Sequence, residues 1–321
     1  MGAYLFDQFK QIISEKGFAA GENAGIIAPV MANMPVVLLA RWDAAAVLTA
    51  IDRYHVTGLV AVVDGLLEIM NHPDFSQYDL RSLRSVTVSS FVTKLNVDIR
   101  RRWEKLTGVT VRENSYGMTE THTSDTFTNS MQTDDMDLKS GPGFCGFPVP
   151  GTQIKIVDFA TQKPVPLGEE GEIAIKTPSL MKGYWRNPEA SRKDIVDGWF
   201  HTGDIGMLDK EGYVHYLGRT KEMLKIKGMS IFPTEIEGLL AMHPAVDGCA
   251  VIGMADLKKG EIPVAFVQLR PDHQGRITED ELASWCLDNM AVYKVPAIRF
   301  INNLPLTDTG KVNKKVLYSR L

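Results

Sequence analysis

The chain has 321 residues, of which 44% are hydrophobic and 23% charged, a composition typical of a globular protein with two or three domains. Its formal net charge of −4 argues against nucleic-acid binding, and apolar stretches such as residues 34–40 are too short to cross a bilayer. No secretory signal pattern begins the chain, and three widely spaced cysteines without CxxC spacing favour a reducing compartment, so we expect a cytoplasmic protein.

Alternating strand and helix patterns in residues 1–145 predict the C-terminal part of a large α/β domain. A strand, a helix and a strand in this order favour a parallel sheet. The first helix begins behind Asp43, a residue suited to capping a helix N-terminus. Buried strands are predicted at 36–40, 58–63 and 85–92, and helices at 43–54 and 97–108.

The pattern changes near residue 140, where a loop rich in Gly and Pro begins. Short segments with alternating apolar residues, such as GEIAIK, predict half-buried strands of a small β subdomain over 146–220. Residues 221–321 predict an α+β C-terminal domain, in which Thr278 and Glu281 form a helix-opening capping box. The predicted fold is therefore a remnant of a large α/β domain with a small β subdomain, followed by a mobile α+β C-terminal domain.

The segment SYGMTET, residues 115–121, places a polar turn directly after a predicted strand. Ligands bind at strand ends in α/β sheets. Thr119 is able to donate to a phosphate, and the hard carboxylate oxygens of Glu120 suit Mg²⁺. The alternative is an ordinary turn with a capping threonine, and the residues alone do not decide between the two.

The segment WFHTGDIG, residues 199–206, places Asp204 after a Thr-Gly pair. A carboxylate there is able to accept hydrogen bonds from the two hydroxyls of a ribose, whereas the alternative is a turn capped by Asp204 itself. His201 is predicted to be structural, because the sequence shows no acid or nucleophile near it.

Two basic segments follow, GRTKEMLKIKG at 218–228 and TDTGKVNKK at 307–315. Lys311 follows a glycine, which allows its loop to approach a ligand closely. Lys314 and Lys315 are interpreted as a solvated basic face, and Lys227 as a solvated charge.

The chain carries, in this order, SYGMTET, GEIAIKTPSLMKGYWRNPE, WFHTGDIG, GRTKEMLKIKGMSIFPTEIE and LPLTDTGK. These segments resemble successive core motifs of the adenylate-forming superfamily, which includes acyl-CoA synthetases, firefly luciferase and peptide-synthetase adenylation domains. The resemblance runs from about residue 25 to 321, and GRTKEMLKIKG with its trailing GK is close to the acyl-CoA synthetase and luciferase branch.

The resemblance implies ATP, Mg²⁺ and coenzyme A as cofactors. Members of the superfamily activate a carboxylic acid with MgATP to an acyl-adenylate and pyrophosphate, and in the synthetases a thiol then displaces AMP. Because a carboxylate must approach a polyanion, cations are needed to offset the repulsion.

The resemblance also implies roles for individual residues. Lys311 would bridge the acyl carboxylate and the phosphate, Thr119 would contact the α-phosphate, and Glu120 would ligate Mg²⁺. Tyr116 would stack on adenine, Asp204 would hold the ribose hydroxyls with Arg219 close by, and Gly117 is a further implied nucleotide-binding residue.

A rotation of the C-terminal domain between two half-reactions is implied as well, with Lys221 at the hinge. The rotation would withdraw Lys311. It would bring Lys225 and Gly228 to the active site for thioester formation, with Gly228 letting the pantetheine arm pass close to the backbone.

Two departures from the superfamily pattern affect these expectations. The Ser/Thr/Gly-rich loop that cradles the outer phosphates is missing from residues 1–110, so we expect a C-terminal fragment that is an incomplete catalyst by itself. Ser89, Ser90 and Phe91 stand where relatives usually have a Gly-Gly or Gly-Ala pair. Because these residues are bulkier, the sequence does not predict the shape or the specificity of the acyl pocket.

We therefore expect the parent protein to be an AMP-forming acyl-CoA synthetase for a fatty or similar apolar acid. The expected partners are a small carboxylic acid and CoA, without nucleic acid or a transmembrane segment, and a homodimer is left open. The alternatives are transfer to a carrier-protein thiol, adenylation without CoA, or a non-catalytic remnant.

Overall fold

The computed structural model describes residues 11–13, 26–39, 41–113, 115–140, 143–227, 229–307 and 310–321. Within these residues the chain forms, in order, a parallel sheet, an antiparallel sheet and a mixed sheet. Single-turn helices lie at Phe75–Gln77, Thr119–Thr121, Thr133–Asp135, Thr220–Glu222, Pro271–His273 and Val292–Lys294.

The first sheet has the strand order β2-β1-β3-β4-β5, and every neighbouring pair is parallel. The predicted cap is confirmed, since the Asp43 carboxylate accepts a hydrogen bond from Ala46 N at 2.7 Å. The strands are β1 (Gln11–Ile13), β2 (Val36–Leu38), β3 (Gly58–Val62), β4 (Ser85–Ser89) and β5 (Val111–Glu113). The helices are α1 (Ala28–Ala32), α2 (Ala44–Tyr54), α3 (Val63–Asn71) and α4 (Val97–Thr107).

Apolar faces of α2, α3 and α4 pack on this sheet and form a single core around fully buried residues such as Trp103. Arg100 is also fully buried, and its guanidinium is paired with Asp135 at 3.0 Å and Asp137 at 2.6 Å. Burial of a charge is costly unless it is paired, so these contacts fix the loop after the sheet to α4.

The second sheet has the order β10-β11-β13-β14-β9-β8, with β12 beside β13, and its neighbouring strands are antiparallel. It surrounds a small core that includes Ile156, Ile173 and Ile175. Its strands are β8 (Thr126–Phe127), β9 (Phe144–Pro148), β10 (Gln153–Val157), β11 (Gly171–Lys176), β12 (Ile195–Val196), β13 (Trp199–Leu208) and β14 (Val214–Arg219). The short pair β6 (Gly117–Met118) and β7 (Thr123–Ser124) and the helices α5 (Met136–Lys139) and α6 (Pro188–Asp194) accompany this sheet.

The third sheet has the order β16-β15-β18-β17, with β19 parallel to β18. The predicted capping box is confirmed, because Thr278 and Glu281 bond reciprocally at the start of α8. The strands are β15 (Leu224–Ile226), β16 (Met229–Ile231), β17 (Val246–Asp256), β18 (Gly260–Leu269) and β19 (Ala297–Phe300). The helices are α7 (Pro233–Leu240), α8 (Glu279–Asn289) and α9 (Lys314–Tyr318).

The segment after β4 joins the first part of the chain to the third sheet. Thr93 Oγ1 donates to Asp247 O at 3.3 Å, and Val92 packs into the apolar cluster that includes Leu304. Gly248 allows this approach, because a Cβ atom there would lie 2.6 Å from Val92 Cγ1. The C-terminal α+β part therefore rests on the carboxyl edge of the parallel sheet in this arrangement.

The α/β class with a C-terminal α+β part is confirmed, whereas the domain limits 1–145, 146–220 and 221–321 remain predictions. Strand β8 and the start of β9 precede residue 146 and still belong to the second sheet. No helix among the described residues is long and apolar enough to cross a membrane.

Candidate functional site

Asp204 is placed in the interior by an irregularity in β13. Gly203 has φ +67°, a value that favours glycine, and its N–H donates to Glu172 Oε1 at 3.1 Å. Thr202 Oγ1 donates to Ile173 O at 2.8 Å and accepts from Asp204 N at 3.0 Å. The hydroxyl of Thr202 and the backbone N–H groups of Gly203 and Asp204 are thus hydrogen-bonded within the sheet. The Asp204 carboxylate is buried, with 2% of the residue exposed.

Three of the predicted site residues meet at this carboxylate. Tyr116 Oη donates to Asp204 Oδ2 at 2.7 Å, and Arg219 Nε lies 2.7 Å from Oδ1. The ring of Tyr116 also stacks on Tyr216, with ring centroids 5.9 Å apart. We call Tyr116, Asp204, Arg219 and Tyr216 the carboxylate cluster.

Burial shapes the electrostatics of the carboxylate cluster. It raises the pKa of Asp204, while the charge of Arg219 and the hydrogen bond from Tyr116 oppose the shift. The pKa of Tyr116 is raised well above 10 by burial and by Asp204. The contact with Arg219 is close but lacks hydrogen-bond geometry, so Asp204 Oδ1 is a buried acceptor that receives no hydrogen bond from the described residues. Such an oxygen is suited to accept from a ligand hydroxyl.

A cavity of about 670 Å³ opens beside the cluster, a volume that suits a nucleotide-sized ligand. Glu120 lines it and accepts a hydrogen bond from Tyr184 Oη at 3.1 Å, whereas Thr119 is exposed on the same single turn. Burial raises the pKa of Tyr184 to about 12, and the negative charge of Glu120 is the second-largest cause of this rise. Arg219 and Lys221 border the same space.

Sequence reasoning missed Glu172 and misread His201. The histidine Nδ1 lies 3.1 Å from Glu172 Oε2, and both residues line the cavity. The prediction that His201 has no acid nearby was therefore wrong, since the antiparallel pairing of β11 with β13 brings Glu172 to it. The contact between Glu172 and His201 would have been predicted if β11 and β13 had been recognised as neighbouring strands.

Lys311 lies apart from the carboxylate cluster, against the segment that follows β4. Its Nζ sits over the ring of Phe91, 5.6 Å from the centroid, and its carbonyl accepts from Thr307 N at 2.7 Å. Lys225 lies on β15, where its Nζ donates to Ser230 Oγ at 2.7 Å. No contact among the described residues joins Lys225 to the carboxylate cluster, and Gly228 lies outside the described residues.

The interpretation of Lys314 as a solvated lysine was wrong. Its Nζ lies 2.7 Å from Glu222 Oε2 and 2.9 Å from Glu237 Oε1, with 19% of the side chain exposed. Glu222 directly follows Lys221, so α9 is tied to the turn after the predicted hinge. Lys315 and Lys227 are exposed, as interpreted.

The donor set suits a metal only in part. No cluster of three or more His, Cys, Asp or Glu side chains that would hold an ion occurs among the described residues. Mg²⁺ in nucleotide sites is commonly held by one or two carboxylates together with phosphates and water. Glu120 fits such a role.

The thiols of Cys145 and Cys286 are buried, which raises their pKa values to about 12 and about 11.

The fold and the site define an α/β protein in which a buried carboxylate is paired with Arg219, a residue that lines a charged cavity. The AMP-binding enzyme family matches residues 13–185, and the AMP-binding enzyme C-terminal domain matches residues 235–311. The chain belongs to the AMP-binding enzyme family.

Named relatives give the family match more detail. A feruloyl-CoA synthase of Amycolatopsis sp is 34% identical over 318 residues, covering 94% of this chain and 62% of the relative. A long-chain-fatty-acid–CoA ligase of Salmonella typhimurium is 33% identical over 276 residues, covering 86% of this chain and 47% of the relative. The chain thus spans about half to two thirds of the length of these relatives.

Solved structures agree with the fold. The structure of the anthranilate CoA ligase AuaEII in complex with anthranoyl-AMP superimposes with a TM-score of 0.82 at 31% identity. The superposition covers 98% of this chain and 60% of that chain.

Proposed function

We propose that the chain serves an AMP-forming acid–thiol ligase, which converts a carboxylic acid, ATP and coenzyme A into an acyl-CoA, AMP and pyrophosphate. The observation that carries the proposal is the carboxylate cluster, in which the buried Asp204 keeps one oxygen without a hydrogen bond and is paired with Arg219, which lines the cavity. The names of the related CoA ligases support the same reaction class.

The chain's own residues account for nucleotide binding in this proposal. Asp204 accepts from the ribose hydroxyls, Tyr116 and Gly117 border the adenine, and Arg219 adds positive charge. Glu120 and Thr119 hold the phosphate end, and Mg²⁺ supplies charge neutralisation there when bound.

Lys311 and Lys225 divide the two half-reactions. Lys311 is the cation that lets the acyl carboxylate approach the α-phosphate, and its position against the parallel sheet fits an arrangement for adenylate formation. Lys225 and Gly228 act after rotation about Lys221, when the thiol displaces AMP. The two lysines are thus expected to serve different steps.

The acid is of the fatty or similarly apolar class. One relative is named for the feruloyl group and another for long-chain fatty acids. The acids in these two names have in common an apolar body attached to a carboxylate. Apolar side chains near Lys311, among them Phe91 and Val92, suit such a body.

The test follows thioester formation from a synthetic acyl-adenylate, a step that needs no β- or γ-phosphate. We expect the chain to form acyl-CoA from CoA and oleoyl- or feruloyl-adenylate faster than the uncatalysed rate. Lys225→Ala should slow this step by about 100-fold or more, whereas Lys311→Ala should leave it within about twofold. Absence of acyl-CoA formation, with AMP binding also absent in calorimetry, would refute the proposal.

The adenylation step is tested separately by pyrophosphate exchange with a panel of acids, in a protein that carries these residues together with the outer-phosphate loop. Lys311→Ala should abolish exchange, and Lys225→Ala should preserve it. Acyl transfer to a phosphopantetheinylated carrier protein but not to CoA would replace the acceptor in the proposal. Loss of the same half-reaction in both variants would contradict the division of roles.

A further inference from the structure

Phe91 occupies the contact point between Lys311 and the parallel sheet. The Lys311 Nζ lies over its ring at 5.6 Å from the centroid, a distance within the range of cation–π attraction. The turn before the lysine also packs there, since a Cβ on Gly310 would lie 3.7 Å from Phe91 Cδ2. The ring therefore supports both the backbone and the ammonium of this turn.

The backbone that carries Phe91 is fixed to its own sheet. Ser90 N donates to Glu113 Oε1 at 2.8 Å, and Ser90 Oγ donates to Glu113 Oε2 at 2.6 Å. The same hydroxyl accepts from Leu95 N at 2.9 Å. Three hydrogen bonds to one serine thus hold the residue before Phe91 against β5 and against the start of the next loop.

The residues after Phe91 are fixed as well. Thr93 Oγ1 donates to Asp64 Oδ1 at 2.6 Å and also contacts Asp247 O, while Val92 packs against Gly248. Phe91 therefore sits in a docking segment, residues 90–93, that is held by the parallel sheet before the ring and contacts the third sheet after it. Its position is set before any ligand binds.

We propose that Phe91 is a positioning residue for Lys311, holding the ammonium through the face of its ring. The consequence for catalysis rests on the proposed function, in which Lys311 serves adenylate formation. An aromatic face uses none of the three N–H donors of an ammonium, so all three stay available to the acyl carboxylate and the phosphate. An acidic partner would hold the lysine too, but would compete with both of these anions.

The contact is tested on the chain itself, without substrate. The measurement is the rate at which an amine-reactive ester labels Lys311, read by mass spectrometry, with exposed Lys315 as the internal reference. Phe91→Leu keeps an apolar side chain but removes the ring, and should raise the relative labelling rate about fivefold. Phe91→Tyr keeps a ring face and should label like the unmodified protein.

Equal labelling of the Leu variant and the unmodified protein would overturn the proposal. An equal rise in the Leu and Tyr variants would overturn it too, because shape rather than the ring face would then hold the lysine. This measurement stands whether or not the proposed ligase reaction occurs.

The catalytic consequence is tested in the two half-reactions. Phe91→Leu should lower the kcat of pyrophosphate exchange about fivefold, or about 1 kcal/mol at 1.4 kcal/mol per factor of ten, with KM for ATP nearly unchanged. Phe91→Tyr should restore the rate. Thioester formation from supplied acyl-adenylate should keep the rate of the unmodified protein, and an equal loss in both half-reactions would overturn the positioning role. Exchange missing from a protein that also carries the outer-phosphate loop would count against the proposed function, while the labelling result would still decide the contact.

Discussion

Glu113 carries a prediction about stability that needs no substrate. Its carboxylate accepts both hydrogen bonds from Ser90 at the end of the parallel sheet. Burial raises its pKa from an ordinary 4.5 to about 7, with the Ser90 hydrogen bonds opposing that shift. Glu113→Gln removes the charge and keeps an oxygen that can accept from Ser90 N.

The sign follows from proton binding. Between pH 4.5 and about 7 the folded chain holds a proton on Glu113 that the unfolded chain has released, so the free energy of unfolding falls as the pH rises. A raised pKa of this size corresponds to at most about 3 kcal/mol, and the partial exposure of the side chain reduces that figure. The contribution is fully present below pH 4.5 and lost as the pH passes about 7.

The assay is urea unfolding from pH 4 to 8, comparing the unmodified chain with Glu113→Gln. We expect the variant to lose less stability between pH 4.5 and 7, so that the difference between the two curves changes by about 1–3 kcal/mol. Asp125→Asn is the matched control. Burial raises the pKa of Asp125 from 3.8 to about 6, so its effect should fall in a lower pH window. Parallel curves for the unmodified chain and Glu113→Gln would refute the reasoning.

Three further predictions concern the site and the core. Asp204→Asn should weaken AMP binding in calorimetry by about 10- to 100-fold, because charge-assisted hydrogen bonds to the ribose are lost, whereas Asp209→Asn, at the His215 pair on the same sheet, should change it little. Arg100→Leu should lower the free energy of unfolding by about 3–5 kcal/mol, since Asp137 is left buried without its cation and Asp135 loses one of its two arginine partners. Arg101→Leu at the half-exposed neighbour, which leaves the Arg100 pairs intact, should cost about 1 kcal/mol or less. Gly143→Ala should lower the free energy of unfolding by several kcal/mol, because φ is +66° and the new Cβ would lie 1.7 Å from Tyr216 O. Its control is Gly108→Ala, which should cost about 1 kcal/mol, because φ is +73° but the space around the new Cβ is open. Similar losses for the two glycine variants would contradict the steric argument.

Local signals in the sequence were sufficient for some elements of the fold and not for others, such as the helix α3 that follows β3. The capping residues Asp43 and Thr278 begin their helices as predicted, because a side-chain oxygen that caps an N-terminus acts within one turn. The apolar spacing of FPTEIEGLLAMH, residues 232–243, predicts a helix as far as His243, whereas α7 ends at Leu240. His243 instead packs edge-on against Trp285, a contact from a distant helix that no local pattern reports.

The same limit separates the site residues that were found from those that were missed. The motifs of Asp204 and Arg219 implied roles for these residues, whereas Glu172 and Tyr184 lie in the motif GEIAIKTPSLMKGYWRNPE without an assigned role and reach the cavity through strand pairing and a loop. Lys314 looks like any exposed basic residue in the sequence. Its partners Glu222 and Glu237 lie 92 and 77 positions away, so only the assembled third sheet shows its pairing.

The ion pairs of Lys314 have a mechanical consequence. Glu222 comes immediately after Lys221, and Lys314 ties it to Glu237 on α7. The turn directly after Lys221 is therefore held to two helices of the C-terminal part, α7 and α9. In the proposed rotation about Lys221, a change of φ or ψ at that residue should move this turn and the two helices together, as one body.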